Sequence, residues 1–277
     1  MAAPPTLDGF GCPVLASDAA CLAGIVRYHE CVLGYARFED WAKILEVAPQ
    51  SAMATLLAAD YLQQAAGGMG PAGNAELDAV ATLPLLRERE KGYLRALRRM
   101  AVSDLKGAYE HWLAVVAEFP SDLFAVKRGQ FCCIVTGDSG GLLSIAALAK
   151  PAGQLGRYCA GLLAFGLEQT GDWAGAESVA RRALAADAEA AAPDASDDGW
   201  LLHALVHSLY FQGHSSECIG LLTVQSKTWR RERWHPFLFT HLWYHSCDYQ
   251  YPRCDFQRPS CNRRYLCCDY GTRITQP

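Results

Sequence analysis

The chain has 277 residues, 51% of them apolar, with 25 Lys and Arg against 29 Asp and Glu, which leaves a net charge of -4 and a pI near 6.1. A chain this long and this apolar can bury a substantial core, as one large domain or as a run of repeats. The acid excess supplies no basic field for nucleic acid or anionic lipid, and no apolar run reaches membrane-spanning length, so neither nucleic acid nor membrane is an expected partner.

The first residues, MAAPPTLDGFGCPVLASD, lack the basic n-region and apolar h-region of a secretory signal, so the sequence reads as cytoplasmic. In a reducing compartment the scattered Cys12, Cys21, Cys31, Cys132, Cys133, Cys159 and Cys218 are expected to act as small buried hydrophobes. Residues 38–62, FEDWAKILEVAPQSAMATLLAADYL, read as a degenerate helix pair, as terminal repeats often are. They fall in an N-terminal helical segment, residues 1–84, that contains the breaker GGMGPAGN at 67–74.

From there on apolar residues recur at helical spacing, as in Leu105, Ala108, Tyr109, Trp112 and Val116, and no strand-like alternation is sustained. Breakers at 119–122 (FPSD), 137–141 (GDSGG), 170–172 (TGD) and 212–214 (QGH) cut the chain into single-helix lengths. Gly137-Asp138 and Gly171-Asp172 lie 34 residues apart, and Ala108 and Ala176 lie twice that distance apart. A period of 34 is that of tetratricopeptide helix pairs. The expected class is therefore all-α, an α-solenoid of tetratricopeptide-like antiparallel helix pairs over residues 85–249. Gly213 follows Gly171 by 42 residues, and the surplus of eight is assigned to a solvated acidic loop at 185–198, AADAEAAAPDASDD.

Five stretches between Leu85 and Tyr249 resemble the tetratricopeptide repeat protein 38 family. They are LREREKGY (86–93), LKGAYEHWLAVVAEFPSDLFAVK (105–127), AFGLEQTGDWAGAESVARRAL (164–184), WLLHALVH (200–207) and THLWYH (240–245), in collinear order. The resemblance implies an α-solenoid whose first helices line a concave groove, and it implies no particular reaction. Members of that family continue past the THLWYH-like helix into further helix pairs. Here residues 250–277, with Pro252, Pro259 and the Cys-rich run Cys254, Cys261, Cys267 and Cys268, read as an irregular, disordered tail of a C-terminally altered chain.

The sharpest constellation is His203-x-x-x-His207 followed by His241-x-x-x-His245. Spacing of i, i+4 puts each pair on one helix face, and two such faces on adjacent first helices can bring four imidazoles together. The resembling family segments carry both pairs. These four residues, with Glu168 as acidic neighbour, are the candidates for a groove ligand or a divalent metal such as zinc, and a hydrogen-bonded histidine layer is the competing reading. No HExxH places a general base beside them.

GDSGG reads as a turn in phase with Gly171-Asp172, not as a serine-protease nucleophile, because it sits between helices where that chemistry needs a β-barrel, and no Ala-Ala-His-Cys segment occurs. The basic clusters at 228–234 (TWRRERW) and 95–100 (RALRRM) read mainly as solvated surface, and Trp112, Trp173, Trp200 and Trp243 as interhelix packing. The function favoured by the fold is a non-enzymatic, cofactor-free scaffold that takes a protein or peptide partner in its concave groove. The alternative is a metal- or small-ligand-binding protein built on the four histidines.

Overall fold

The computed structural model describes residues 6–35, 51–83, 86–189, 198–227 and 235–250. Among them are twelve α-helices and, apart from one isolated backbone bridge between Leu7 and Pro13, no strand pairing. The helices are α1 (Ala19–Leu33), α2 (Ala52–Ala65), α3 (Asn74–Ala81), α4 (Glu88–Ala101), α5 (Leu105–Glu118), α6 (Leu123–Thr136), α7 (Ser139–Ala147), α8 (Cys159–Gln169), α9 (Trp173–Glu189), α10 (Gly199–Phe211), α11 (Ser215–Gln225) and α12 (Pro236–Gln250). From α2 onward each helix packs on the next, and α2 also meets α4, α6 meets α8, α8 meets α10, and α10 meets α12. This is an all-α helical-repeat solenoid. Among the described residues no helix is long and apolar enough to cross a membrane.

Four of the described hairpins share one local design. Ser103, Gly137, Gly171 and Gly213 adopt left-handed backbone angles, φ +59°, +73°, +85° and +83°. The N–H of the following residue then returns to a carbonyl five positions back: Asp104 to Arg99, Asp138 to Cys133, Asp172 to Leu167 and His214 to Leu209, at 2.9–3.0 Å. Asp104, Asp138 and Asp172 next cap the second helix of each pair by accepting the backbone N–H of Gly107, Gly141 and Gly175, at 3.0, 2.8 and 2.9 Å. A Cβ at any of those three glycines would collide with the capping carboxylate, which explains why glycine recurs there. The period of 34 therefore begins one repeat earlier than the glycines alone show, at Ser103. Ala108, Ala176 and Ala180 are fully buried where the second helices approach their neighbours.

Two boundaries differ from the sequence reading. GDSGG is a turn only at Gly137-Asp138, because Ser139 to Gly141 form the first turn of α7. The acidic loop starts later than expected, since Ala185–Glu189 continue α9, whose alanines favour helix. The rest of that loop, 190–197, lies outside the described residues, as do 38–50 of the N-terminal pair, the basic cluster at 228–234, and the tail from 251. The other basic cluster is surface: Arg98 pairs with Asp78 and Arg99 with Asp104 in exposed contacts. All seven scattered cysteines are buried free thiols.

The N-terminal residues lie against the first helices of the pairs. Asp8 binds the backbone N–H groups of Phe10 and Cys12 through one oxygen and Arg89 of α4 through the other, at 2.9, 3.1 and 2.5 Å. The same guanidinium reaches Asp122 at 2.6 Å, and Tyr93 also donates to Asp122. From α1, Tyr28 donates to Asp60 at 2.6 Å, which Arg128 of α6 also binds at 2.5 Å. Further along, Leu155 donates its N–H to the Gly9 carbonyl, and His235 donates its own to that of Tyr35. Between Arg89 and Trp200 the first helices are thus met by the N-terminal residues Asp8, Tyr28 and Tyr35.

Arg89 and its two carboxylates are almost wholly buried. Breaking such a group is costlier than never forming it, because the remaining charges stay desolvated. Arg89→Met is expected to lower unfolding free energy by about 3–5 kcal/mol in urea titration. A loss below about 1 kcal/mol would show that Asp8 and Asp122 find other partners.

Candidate metal centre

The site is assembled by α8, α10 and α12. Asp198 fixes the start of α10 by accepting the N–H of Leu201 at 3.0 Å. The helix runs through the core with residues 199–206 buried on all sides. Its i, i+4 pair, His203 and His207, faces the i, i+4 pair His241 and His245 of α12, the next first helix along the stack.

All four imidazoles meet through Nε2. His207 lies 2.7 Å from His245, His245 lies 3.0 Å from His241, and His241 lies 2.9 Å from His203. One nitrogen from each lies within 4.8 Å of all the others. Glu168, near the end of α8, holds Nδ1 of His207 at 3.1 Å through one oxygen and accepts from the Gln169 amide through the other. The structure therefore brings together all five residues that the sequence singled out. His203 and His245 are buried; His207 and His241 are half-buried.

Hydrogen bonding alone suits this arrangement poorly. A neutral imidazole nitrogen has either one in-plane lone pair or one proton. Nε2 of His245 and Nε2 of His241 each have two nitrogen neighbours, so one lone pair or one proton would be shared at both. A carboxylate at Nδ1 of His207 places the proton there and turns the Nε2 lone pair toward the cluster. That carboxylate–imidazole pairing also orients and strengthens metal-bound histidines. A zinc ion at 2.0–2.1 Å from every nitrogen requires separations no wider than about 4.2 Å and tetrahedral edges of about 3.3 Å. Tetrahedral coordination therefore requires the 2.7 Å contact to widen by about 0.6 Å and the 4.8 Å separation to close by about 1.5 Å.

The surroundings disfavour charge on His203, His241 and His245. Burial, and then the charges of its three histidine neighbours, hold His203 well below the usual imidazole range. Burial followed by His207 and His241 lowers His245 to about 3, and burial followed by His207 lowers His241. Deprotonated imidazoles are the metal-competent form. Aromatic rings frame them: Trp200 stacks on His203 at 4.7 Å, Phe237 on His241 at 5.4 Å, and the edge of Phe211 meets His207 at 6.2 Å.

Sequence reasoning passed over several neighbours. Tyr35 stacks on Trp200 at 5.0 Å, and Lys127 lies over both rings, 3.9 Å from the Tyr35 centroid and 4.2 Å from that of Trp200. A lysine inside the apolar run LFAV-K-RGQF was a visible signal, whereas Tyr35 comes from a distant helix end that no spacing links to the site. Trp200, read as packing, both packs and stacks on a site histidine. Trp112 is a core residue, T-shaped against Tyr93 and Phe124.

Acid should destabilise the metal-free fold. His245 and the wholly buried His29, also lowered to about 3 chiefly by burial, stay neutral in the folded chain down to that pH. An unfolded imidazole takes its proton near pH 6.5, so between about 6.5 and 3 the unfolded state binds more protons and stability falls as pH falls. Each histidine contributes a slope of up to about 1.4 kcal/mol per pH unit in urea midpoints followed across that range; a flat profile would contradict neutral burial. For the charge pair, Glu168→Gln should weaken metal binding by about 10–100-fold with the four ligands intact, read by competition with a chromophoric chelator.

Compared with models of known protein families, the chain matches none.

Proposed function

We propose that this protein binds a divalent transition-metal ion, zinc first among the candidates, through His203, His207, His241 and His245, with Glu168 orienting His207. The observation that carries this reading is the convergence of four imidazole nitrogens within 4.8 Å between two successive first helices. A set of nitrogens without thiolate or carboxylate suits zinc, copper, iron or nickel and disfavours magnesium and calcium. The ion would cross-link α10 to α12. Glu168 is engaged by His207 and Gln169, so the reading is of a metal-binding repeat protein, not a hydrolase that uses this carboxylate as its base.

Within the same proposal, the repeats are tetratricopeptide-like, supported by the left-handed turns at Ser103, Gly137 and Gly171 and by the collinear stretches that resemble the tetratricopeptide repeat protein 38 family. Seven buried free thiols favour a reducing, cytoplasmic setting. The interaction-scaffold reading stays as a second one on a specific observation. Trp173 and Phe211 stack at 5.4 Å while 37% and 52% exposed, an aromatic ledge beside His207 of the kind that protein contacts use. That ledge, not the side of α4 and α6 met by the N-terminal residues, is where such a partner would sit.

Metal analysis of the purified protein decides the main reading. One equivalent of a transition metal is expected, lost in the His203→Ala, His207→Ala double variant. Zinc added to chelator-treated protein at about a hundred times its dissociation constant should stabilise the fold by about 2.7 kcal/mol. Metal-free protein whose melting temperature does not respond to zinc, copper or nickel would sink the proposal.

A further inference from the structure

Three cationic side chains are buried on the inner side of the first helices, and two are matched in the same way. Arg89 holds Asp8 and Asp122, and Arg128 holds Asp60, each at 2.5–2.6 Å. Lys127, beside Arg128 on α6, is the exception. It is 7% exposed, and its Nζ is buried with no hydrogen-bond partner. Two aromatic faces surround it instead, Tyr35 at 3.9 Å and Trp200 at 4.2 Å.

The two ring faces offset part of an ammonium's desolvation cost, and with no acceptor at Nζ the remainder favours release of the proton. Burial accordingly pushes the Lys127 amine well below the usual lysine range. The Asp198 charge opposes that shift, and Arg128 adds to it. The same desolvation lifts the Asp198 carboxyl to about 6. Two further buried donors or acceptors lack partners, one on the Trp200 ring over the amine and one on the ring stacked against it. They are the indole Nε1 of Trp200 and Nδ1 of His203, whose rings stack at 4.7 Å. Unmet polar atoms are rare in protein interiors, and several grouped around one ring mark a place that takes water or a ligand.

We propose that Lys127 is a nucleophilic amine that forms an imine with a small 2-oxo acid, whose carboxylate is met by the Trp200 indole N–H. The Nζ lone pair attacks the carbonyl carbon to give a carbinolamine. The former carbonyl oxygen then leaves as water, one proton coming from the amine and one from an acid, for which Asp198, whose charge acts on Nζ, is the candidate; the protonated iminium so formed returns its remaining N–H proton to that carboxylate. The product is a C=N bond between Nζ and the 2-carbon. No electrons are exchanged and no metal takes part, so the proposal stands apart from the imidazole site.

Glyoxylate is the probe. The folded protein, with and without a chelator, is incubated with glyoxylate and cyanoborohydride at pH 7, and the reduced adduct is located by peptide mass mapping. Lys127 should be modified at least tenfold faster than the exposed Lys91, and its adduct should vanish in Lys127→Met protein that keeps a native helical spectrum. Acetaldehyde, which has the carbonyl without the carboxylate, should react at Lys127 at least several-fold more slowly than glyoxylate, and Trp200→Phe should erase that difference. Modification confined to exposed lysines would overturn the proposal, as would a Lys127 rate no greater than that of Lys91. Equal rates for glyoxylate and acetaldehyde would overturn the assignment of a 2-oxo acid. Should Lys127→Met fail to fold, the site ranking within the unmodified sequence still decides the matter.

Discussion

Four of the described hairpins, at Ser103, Gly137, Gly171 and Gly213, are closed by one backbone event, a residue in the left-handed conformation that lets the following N–H reach back five residues. Where Asp follows, its carboxylate starts the next helix. That constraint sets the angle at which the second helix returns, and repetition sets where the next first helix lies. The imidazole site follows from it. His203, His207, His241 and His245 belong to helices separated by another helix and dozens of residues, and they meet because the stacking of pairs puts α12 beside α10. The fourth turn, at Gly213, keeps the left-handed residue but has His214 where the others have Asp, and no side-chain cap forms there. The left-handed residue is thus the essential part of the turn and the carboxylate a reinforcement.

Much of this was legible in the sequence because it depends on local rules. Glycine-aspartate pairs spaced by 34, small residues at fixed offsets and i, i+4 histidines are all short-range signals. Ser103 escaped notice because the eye looks for glycine where φ is positive, and here serine takes the left-handed region at some cost in strain. The helical continuation of Ala185 to Glu189 was hidden by composition, since an alanine- and acid-rich run reads equally well as a solvated loop or a helix end.

The N-terminal contacts were illegible for a different reason. Asp8 and Arg89, Tyr35 and Trp200, and Arg157 and Glu30 are joined across long sequence separations, and nothing in periodicity predicts such pairs. An arginine inside an apolar stretch announces that a carboxylate exists somewhere; it does not say where. The candidate site shows the same division. Its ligands could be read from spacing and Lys127 stands out inside an apolar run, but its aromatic frame could not be read, because Tyr35 is delivered by α1.

Those long-range ties bear on cooperativity. A helical-repeat array usually behaves as a one-dimensional system in which each unit feels only its neighbours, so ends fray first and unfolding spreads inward. In this protein residues 6–14 and α1 meet α4, α6 and the residues 155–157 ahead of α8, and Tyr35 just after α1 meets Trp200 and His235, so a unit in the middle cannot loosen without releasing these distant contacts. The array is effectively bound along its length by its own first residues. Partial unfolding from either end is suppressed, and because the contacts are distant in sequence, the chain must search longer before it folds than a simple stack of the same size.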